Sequence, residues 1–336
     1  MTEQSDNGRF PSRRAILRIL AVGGAAGIGW KLGVFDRFRS RAVARSRMLM
    51  GTMVNLTVLG ERDEAEAAAE ATLERMAGLE ALLSRHRDDS ELSRLVAARR
   101  VDAPSQALVD VLRLAERVSL MGDGAFDVTV QPVLDLYARD RPLPAPETIE
   151  QASGRVDFRA LRIADDAIEL SRPEMRLTLD GVGKGYIVDR GLDELRERGF
   201  ADVFVEAGGD LVASGHRDGG APWRVGIRHP RPGLSLQARF DASDVAVATS
   251  GDYMQPYTDD YARHHIVDPR TGHSAPELAS STVIAPNAAT ADALSTLTLV
   301  LGPSAGRDLL EALPGCEGYF VSKQLEVTRT TGFVAS

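Results

Sequence analysis

Three stretches of this sequence gather oxygen, nitrogen and glycine at spacings that suit chemistry better than packing. Asp292 and Thr296, in "TADALSTLTLVLG", are four residues apart, so a helix would put both on one face. A carboxylate and a hydroxyl, completed by a backbone carbonyl, water and a substrate phosphate, form a hard oxygen set suited to Mg2+. "LDGVGKGYIVD" places Gly181, Gly183 and Gly185 around Lys184 where a helix should begin. The N–H groups and positive dipole end of a helix start favour phosphate, and Lys184 adds a point charge. The spacing is not that of a Walker A loop. "HHIVDPRTG", residues 264–272, crowds two histidines, Asp268, Arg270 and Thr271 around a Pro/Gly turn. A turn needs Pro and Gly but none of the other groups, so a histidine here is a candidate base. A metal pair, a cation and a base are the components of phosphoryl transfer: metal neutralises a diphosphate, cation positions it, base prepares a hydroxyl.

Other clusters are weaker. "MGTM", residues 50–53, interrupts the first strand with Gly51, which fits either close approach of a ligand or a β-bulge. In "GDGAFDVTVQP" Phe126-Asp127 open what reads as an extended run, and Asp127 alone could be a turn-former. In "VEAGGDLVASG" Glu206 and Asp210 bracket two glycines, which reads as a hairpin turn.

Elements must position these groups. The chain has 336 residues, 43% hydrophobic and 26% charged, an ordinary globular composition long enough for one large core or two modest ones. A net charge of −8 argues against a nucleic-acid partner. Leu73, Met76, Leu79, Leu82 and Leu83 recur at helical spacing over 63–84. Asp89 or Ser90 would cap the short helix that follows. A second long helix starts after Pro104 and ends at Gly122 and Gly124. Further helices are expected at 184–199, 287–301 and 303–313, with Asn287 or Thr290 as a cap. "RMLMGTMVNLTVLG", "LRIA", "AIELS", "MRLTL", "ADVFVEAGG" and segments 211–215, 223–229, 235–241, 245–249, 318–322 and 324–329 read as strands. Without a repeating βαβ unit the class is α+β, one intertwined domain, with Pro-rich 141–148 as a surface connector.

The first segment differs from the rest. Residues 9–47 carry ten Lys/Arg against one acid, Asp36. Ser12-Arg13-Arg14 before a Gly/Ala-rich apolar stretch reads as a Tat-type export signal rather than a basic tail. The stretch is too short and too interrupted by Arg18 for a good membrane span. Residues 1–46 are therefore expected to be signal and tail, with a small-x-small cleavage site at Ala42-Val43-Ala44, and 47–336 the functional domain. The one cysteine, Cys316, permits no disulfide within the chain and no thiolate metal site. It does not follow the signal, so a lipoprotein anchor is not expected and a periplasmic location is.

The ordered series "MGT", "SELSRL", "GAFDVTVQPVLDLY", "LDGVGKGYIVD", "VEAGGD", "WRVGIRHP", "VATSGDY", "HHIVDPRTG" and "TVIAPNAATADALSTLTLVLG" resembles the FAD:protein FMN transferase (ApbE) family from about residue 48 to the end. The resemblance implies a T-fold-like α+β fold of mixed helices and antiparallel sheets. It implies use of FAD and Mg2+, and attachment of FMN through a phosphoester to a Thr or Ser of a target flavoprotein with release of AMP. "LTLDGVGKGYIVDRG" together with the Tat-like signal is similar to the NosX branch, which implies a NosR-like acceptor at the inner-membrane surface; RnfG- or NqrC-like subunits are the alternative. By motif, Asp292, Thr296 and the Gly183 carbonyl resemble the metal ligands. Met50, Ala125, Phe126, Asp127, Asp180, Lys184, Tyr186 and Ile266 fall at FAD-binding positions. His265, chosen over His264 by the register of H-I-V-D-P, resembles the group that activates the acceptor hydroxyl, with Asp252 and Lys184 as further catalytic candidates. Two departures stand out. Thr178 stands where the common version has its acid, while Asp180 replaces a Gly or Asn. The aromatic residue many members carry near "SRHRDDSELS" is absent, with His86 or Arg87 in its place. A non-catalytic FAD carrier and an FAD diphosphatase are the competing readings.

Overall fold

Hydrophobic alternation builds a sheet first, beginning with a hairpin, in the computed structural model, which describes residues 41–137, 144–217, 219–233 and 236–335. In chain order the elements are β1 (Arg41–Leu49), β2 (Thr52–Gly60), α1 (Arg62–Leu83), α2 (Glu91–Ala98), β3 (Arg100–Asp102), α3 (Gln106–Met121), α4 (Gln131–Leu134) and α5 (Pro146–Ser153). They continue with β4 (Leu161–Ile163), β5 (Ala167–Leu170), α6 (Gly183–Glu197), β6 (Val203–Ala207), β7 (Asp210–Ser214), β8 (Trp223–Arg228), β9 (Leu236–Ala242) and β10 (Val245–Gly251). The last are β11 (Val267–Asp268), β12 (His273–Ser274), β13 (Leu278–Ala285), α7 (Ala288–Glu311), β14 (Glu317–Ser322) and β15 (Val327–Arg329).

Eight strands form one sheet in the order β1-β2-β6-β7-β10-β13-β14-β15, every neighbour antiparallel. Side chains alternate between its faces. Val54, Leu56, Val58, Val203, Val205, Val212, Ala246, Ala248, Val283 and Phe320 enter the core shared with α1, α6 and α7. Leu211, Ala213, Val247, Tyr319 and Val321 enter a second core on the other face, covered by the β8–β9 hairpin through Trp223, Val225, Ile227 and Phe240. Leu56, Leu73, Met76 and Leu195 are at most 1% exposed, and each such side chain contributes about 2 kcal/mol by leaving water. The architecture is α+β with mixed helices and antiparallel sheets, as the sequence implied.

Caps explain the helix starts. Ser90 Oγ accepts from Ser93 N–H, Ser105 Oγ from Leu108 N–H and Asn287 Oδ1 from Thr290 N–H, so Ser90 and Asn287 are the caps of α2 and α7. Gly302, at φ 83°, and Pro303 break α7 where two helices were expected.

The structure departs from the sequence reading in several places. The Gly51 interruption is neither a bulge nor a gap in one strand. Leu49 pairs with Thr52, so Met50 (φ 53°) and Gly51 (φ 71°) form a two-residue hairpin turn, whose positive φ angles match the twist of the strands. The run from Phe126 is a set of turns leading into α4, because Asp127 Oδ1 accepts from both Thr129 N–H and Thr129 Oγ–H. "MRLTL" pairs only through one bridge, Val130 to Arg176. The connector ends in a helix, α5, with Pro146 in its first turn, the position where a missing N–H costs nothing.

The sheet also reaches back to Arg41, six residues before the expected boundary at 46–47. Val43 is buried opposite Val58, Arg45 pairs with Glu66 at 3.1 Å and Arg47 with Glu74 at 2.7 Å. These arginines answer the acidic face of α1 rather than belonging to a tail, and Ala42-Val43-Ala44 lies within β1. The twin arginine and the apolar stretch lie outside the described residues, as does part of the connector. No helix among the described residues is long and apolar enough to cross a membrane.

Candidate active site

The N-terminal turns of α6 and α7 hold each other. Asp189 on α6 accepts from Ala288 N–H (2.7 Å) and Ala289 N–H (2.9 Å) at the start of α7. Asp292 on α7 returns the contact, its Oδ2 accepting from Gly185 N–H at 3.0 Å. Both carboxylates therefore sit on the positive end of the other helix. The start of α6 thus receives the Asp292 carboxylate at Gly185 N–H. Gly183 N–H is likewise engaged, by Leu179 O at 2.7 Å. Burial pushes the Asp189 carboxyl up to about 6, opposed by the two N–H donors.

Gly185 makes the clamp possible. A Cβ there would stand 2.2 Å from Ala288 O and 2.8 Å from Asp292 Cβ. Both neighbours are backbone or near-backbone atoms that cannot swing away. Gly185→Ala is expected to lower stability by about 2–3 kcal/mol, read as a lower urea midpoint at unchanged slope. A midpoint equal to that of the parent would show that the helices are not in contact here.

Lys184 lies beside the clamp and pairs with Asp210, at the start of β7. Asp210 and Asp292 are 1% and 4% exposed. Burial, with the Asp210 carboxylate added, holds the Asp292 carboxyl well above the usual range. Burial would lower the Lys184 ammonium, but Asp210 and Asp292 outweigh it and raise it. Two buried carboxylates face one ammonium, so with both ionised the cluster would carry one negative charge too many for a dry site, and the raised Asp292 carboxyl answers that excess.

Thr296 stands one turn further along α7. Its Oγ1 meets Ser250 Oγ at 3.0 Å. A Cβ on Gly181 would lie 3.2 Å from Thr296 Oγ1 and 3.1 Å from Phe126 Cε2. The 181–185 segment therefore runs along the Asp292/Thr296 face of α7, Gly181 at Thr296 and Gly185 at Asp292, with Gly183 between. Ala125 and Phe126 are buried beside it, and Met50 is partly buried against the same core from the hairpin turn. Among the described residues no three His, Cys, Asp or Glu side chains form a metal cluster by themselves. An ion here would have to use carboxylate, hydroxyl, carbonyl and substrate oxygens, the set that suits Mg2+.

The two histidines separate clearly. His264 is fully buried, with Nε2 3.0 Å from Ala275 O and Nδ1 accepting from Ile266 N–H at 3.3 Å. This fixes Nε2–H as donor and leaves no free nitrogen. Burial depresses its pKa to about 4. His265 differs: its Nδ1 is out of solvent and meets no protein partner. Burial lowers its pKa, against the Gln255 carbonyl and the Asp180 carboxylate, which raise it. Asp180 directly precedes Gly181, so the loop at Thr296 also reaches His265. Arg85 Nε donates to Asp180 Oδ2 at 2.9 Å. Ile266 is 7% exposed, in the core behind His265.

Asp252 is fully buried and receives both arms of Arg231, at 2.7 and 2.9 Å. Arg231 lies over the Tyr261 ring at 4.2 Å, and Lys323 Nζ donates to Tyr261 O at 2.9 Å. Burial raises the Asp252 carboxyl while Arg231 lowers it. With both oxygens engaged, Asp252 is a strut under the 252–265 loop. Two other positions face elsewhere. Tyr186 OH points to Asp110 on α3 at 3.4 Å, its phenol pushed up to about 12 by burial. Asp127 has both oxygens committed, Oδ2 accepting from Phe158 N–H at 2.9 Å.

Arg231, Lys323, Arg85, Asp189 and Ser250 were not singled out from the sequence. Gly185 and Asp189 are four apart and share a helical face, which was a usable signal. Arg231, Arg85 and Lys323 meet their partners only across 21 residues or more, with no local pattern to mark them.

Known proteins share this fold. A model described as the ApbE family matches residues 50–320. The chain is 32% identical over 299 residues to a FAD:protein FMN transferase of Salmonella typhimurium, covering 84% of each chain. It is 30% identical to one of Treponema pallidum, covering 91% of this chain and 94% of the relative. Among solved structures, the flavin transferase ApbE from Vibrio cholerae superposes with a TM-score of 0.77 at 29% identity, covering 88% of this chain and 97% of that one. The ApbE protein of Thermotoga maritima gives 0.80 at 28% identity, covering 87% and 97%. Glycine loop, helix clamp and buried acid–hydroxyl pair all lie within the matched span, and the chain belongs to the ApbE family.

Proposed function

We propose that this protein is a Mg2+-dependent FAD:protein FMN transferase, which moves FMN from FAD to a Thr or Ser hydroxyl of an acceptor flavoprotein and releases AMP. The observation that carries the reading is the α6–α7 junction. There Asp292 and Thr296 share one face of α7 against Gly185 and Gly181, and two buried carboxylates, Asp292 and Asp210, meet the single ammonium of Lys184. Asp292, Thr296 and the Gly183 carbonyl would hold the ion, whose chemistry is to neutralise the diphosphate of FAD. The curated relatives named FAD:protein FMN transferase support the substrate and the reaction.

In the reaction the acceptor hydroxyl oxygen forms a bond to the FMN phosphorus. The bond from that phosphorus to the bridging oxygen breaks, and AMP leaves with the oxygen. His265 takes the hydroxyl proton at Nδ1, the atom without a protein partner. Lys184, held by Asp210, sets positive charge beside the diphosphate. Asp252 and Arg231 fix the loop that carries His265, so Asp252 acts through position rather than as a base. Met50, Ala125, Phe126 and Asp180 would line the flavin nucleotide.

Export through the segment that precedes β1, a periplasmic location and a NosR-like acceptor belong to the same proposal. They rest on the twin-arginine segment and on motif similarity. The test is to incubate the full chain with FAD, Mg2+ and an FMN-domain acceptor and weigh the acceptor. Addition of one FMN with equimolar AMP is expected, and chelation should abolish it. AMP without labelled acceptor would favour an FAD diphosphatase, and bound intact FAD without AMP would favour a carrier.

A further inference from the structure

Three hydroxyls behind the candidate metal face form a chain with one possible proton order. Thr296 Oγ1 meets Ser250 Oγ at 3.0 Å. Ser250 Oγ meets Ser295 Oγ at 2.8 Å. Ser295 Oγ meets the backbone carbonyl of Asp292 at 2.9 Å. Each hydroxyl has one proton, and a carbonyl can only accept. The last contact must therefore use the proton of Ser295. Ser250 must then donate to Ser295, since Ser295 has no second proton to give. Thr296 must in turn donate to Ser250. Any other order sets two lone pairs against each other in at least one contact.

We infer that Ser250, backed by Ser295, is a positioning residue that draws the Thr296 hydroxyl proton into the sheet and so turns the Thr296 lone pairs toward the Gly181–Gly185 loop. This role for Ser250 deepens the Mg2+ reading above and rests on it. A hydroxyl serves a cation only through a lone pair, and a free Thr would present its proton in some of its rotor positions. A helical Thr would also tend to turn its proton back to the carbonyl four residues earlier. Here that carbonyl, of Asp292, is taken by Ser295, and the Thr296 proton has an acceptor on β10 instead. Ser295 is fully buried, so the relay starts where water does not compete. The two serines thus do for Thr296 what outer hydrogen bonds do for other metal ligands. The Asp292 carbonyl also ties the chain to the residue that carries the other side-chain ligand.

The experiment measures Mn2+ affinity by EPR of the free ion, with FAD present and no acceptor. Mn2+ accepts the same oxygen ligands and reports without turnover. Ser250→Ala is expected to weaken binding by about 10- to 100-fold with an unchanged melting profile. Ser250→Thr, which keeps an acceptor oxygen on β10, should restore it. Ser295→Ala should fall between, because Ser250 then keeps its oxygen but loses the contact that fixes its own proton. Wild-type affinity in Ser250→Ala, with binding still lost in Asp292→Ala, would overturn the inference and leave the metal site standing. An affinity in the parent protein that Asp292→Ala does not change would overturn both. Failure of Ser250→Thr to regain what Ser250→Ala loses would assign Ser250 to packing and overturn the orienting role.

Discussion

Asp292→Ala is expected to abolish FMN transfer, by about a thousandfold or more, and to leave the protein folded. The loss follows from the charge that would go unneutralised on the diphosphate, for which metal-ion catalysis supplies several kcal/mol. The retained fold follows from the local charges. Lys184 and Asp210 form a pair, and Asp292 is the excess carboxylate, 4% exposed. Its removal leaves a neutral pair and relieves the burial and the Asp210 repulsion that together raise its carboxyl. Against this, Gly185 N–H loses its acceptor, a cost of about 1–3 kcal/mol for a buried donor. The two effects oppose, so melting should change little while transfer vanishes. Intact mass of the acceptor reads the first quantity and circular dichroism the second. Asp292→Asn keeps the shape and an acceptor for Gly185, and should be equally inactive. Transfer above a tenth of the parent rate in both variants would remove Asp292 from the reaction.

The adjacent histidines should give opposite phenotypes. His265→Ala removes the ring whose Nδ1 has no partner. Transfer should fall by about 100- to 10,000-fold, the usual share of a general base, with little loss of stability. Burial lowers the His265 pKa, so the acid limb of the rate profile should lie below the ordinary histidine value. His264→Gln should do the reverse. The His264 ring joins Ala275 O to Ile266 N–H, and losing these buried contacts is expected to cost about 2–3 kcal/mol. Its linkage to pH has a definite sign. The unfolded histidine takes a proton near 6.5 and the folded one only near 4. In that window the unfolded state binds more protons, so stability is full above pH 6.5 and falls as the pH drops toward 4. The amplitude is on the order of 3 kcal/mol. Urea midpoints across pH 4–7 should lose this slope in His264→Gln and keep it in His265→Ala. An inactive His264→Gln with parental stability would exchange the two roles.

Much of the fold was legible because its signals are local. The leucines of α1 repeat within one helix, Ser90 and Asn287 each cap within three residues, and Gly302-Pro303 stops a helix wherever it occurs. The errors were also local in origin. A Met-Gly turn was read as an interruption because Met at positive φ is an uncommon turn residue. Pro146 was assigned to a connector although it is equally a first-turn signal. Arg45 and Arg47 looked like part of a tail, since their acidic partners lie more than a dozen residues away on α1.

By itself the sequence determined the α+β class, the order of the motifs and the pairing of Asp292 with Thr296 on one helical face. Each follows from periodicity or from adjacency along the chain, and those survive in any tertiary arrangement. The tertiary structure alone decided which histidine has a free nitrogen, that Asp252 is taken by Arg231, and that the start of α6 holds a carboxylate. These depend on partners 11, 21 and 107 residues away. Hydrogen-bond capacity is a property of the assembled neighbourhood. His264 and His265 carry the same ring, and only the Ala275 carbonyl and the Ile266 amide make one of them a strut, while Nδ1 of the other meets no protein partner.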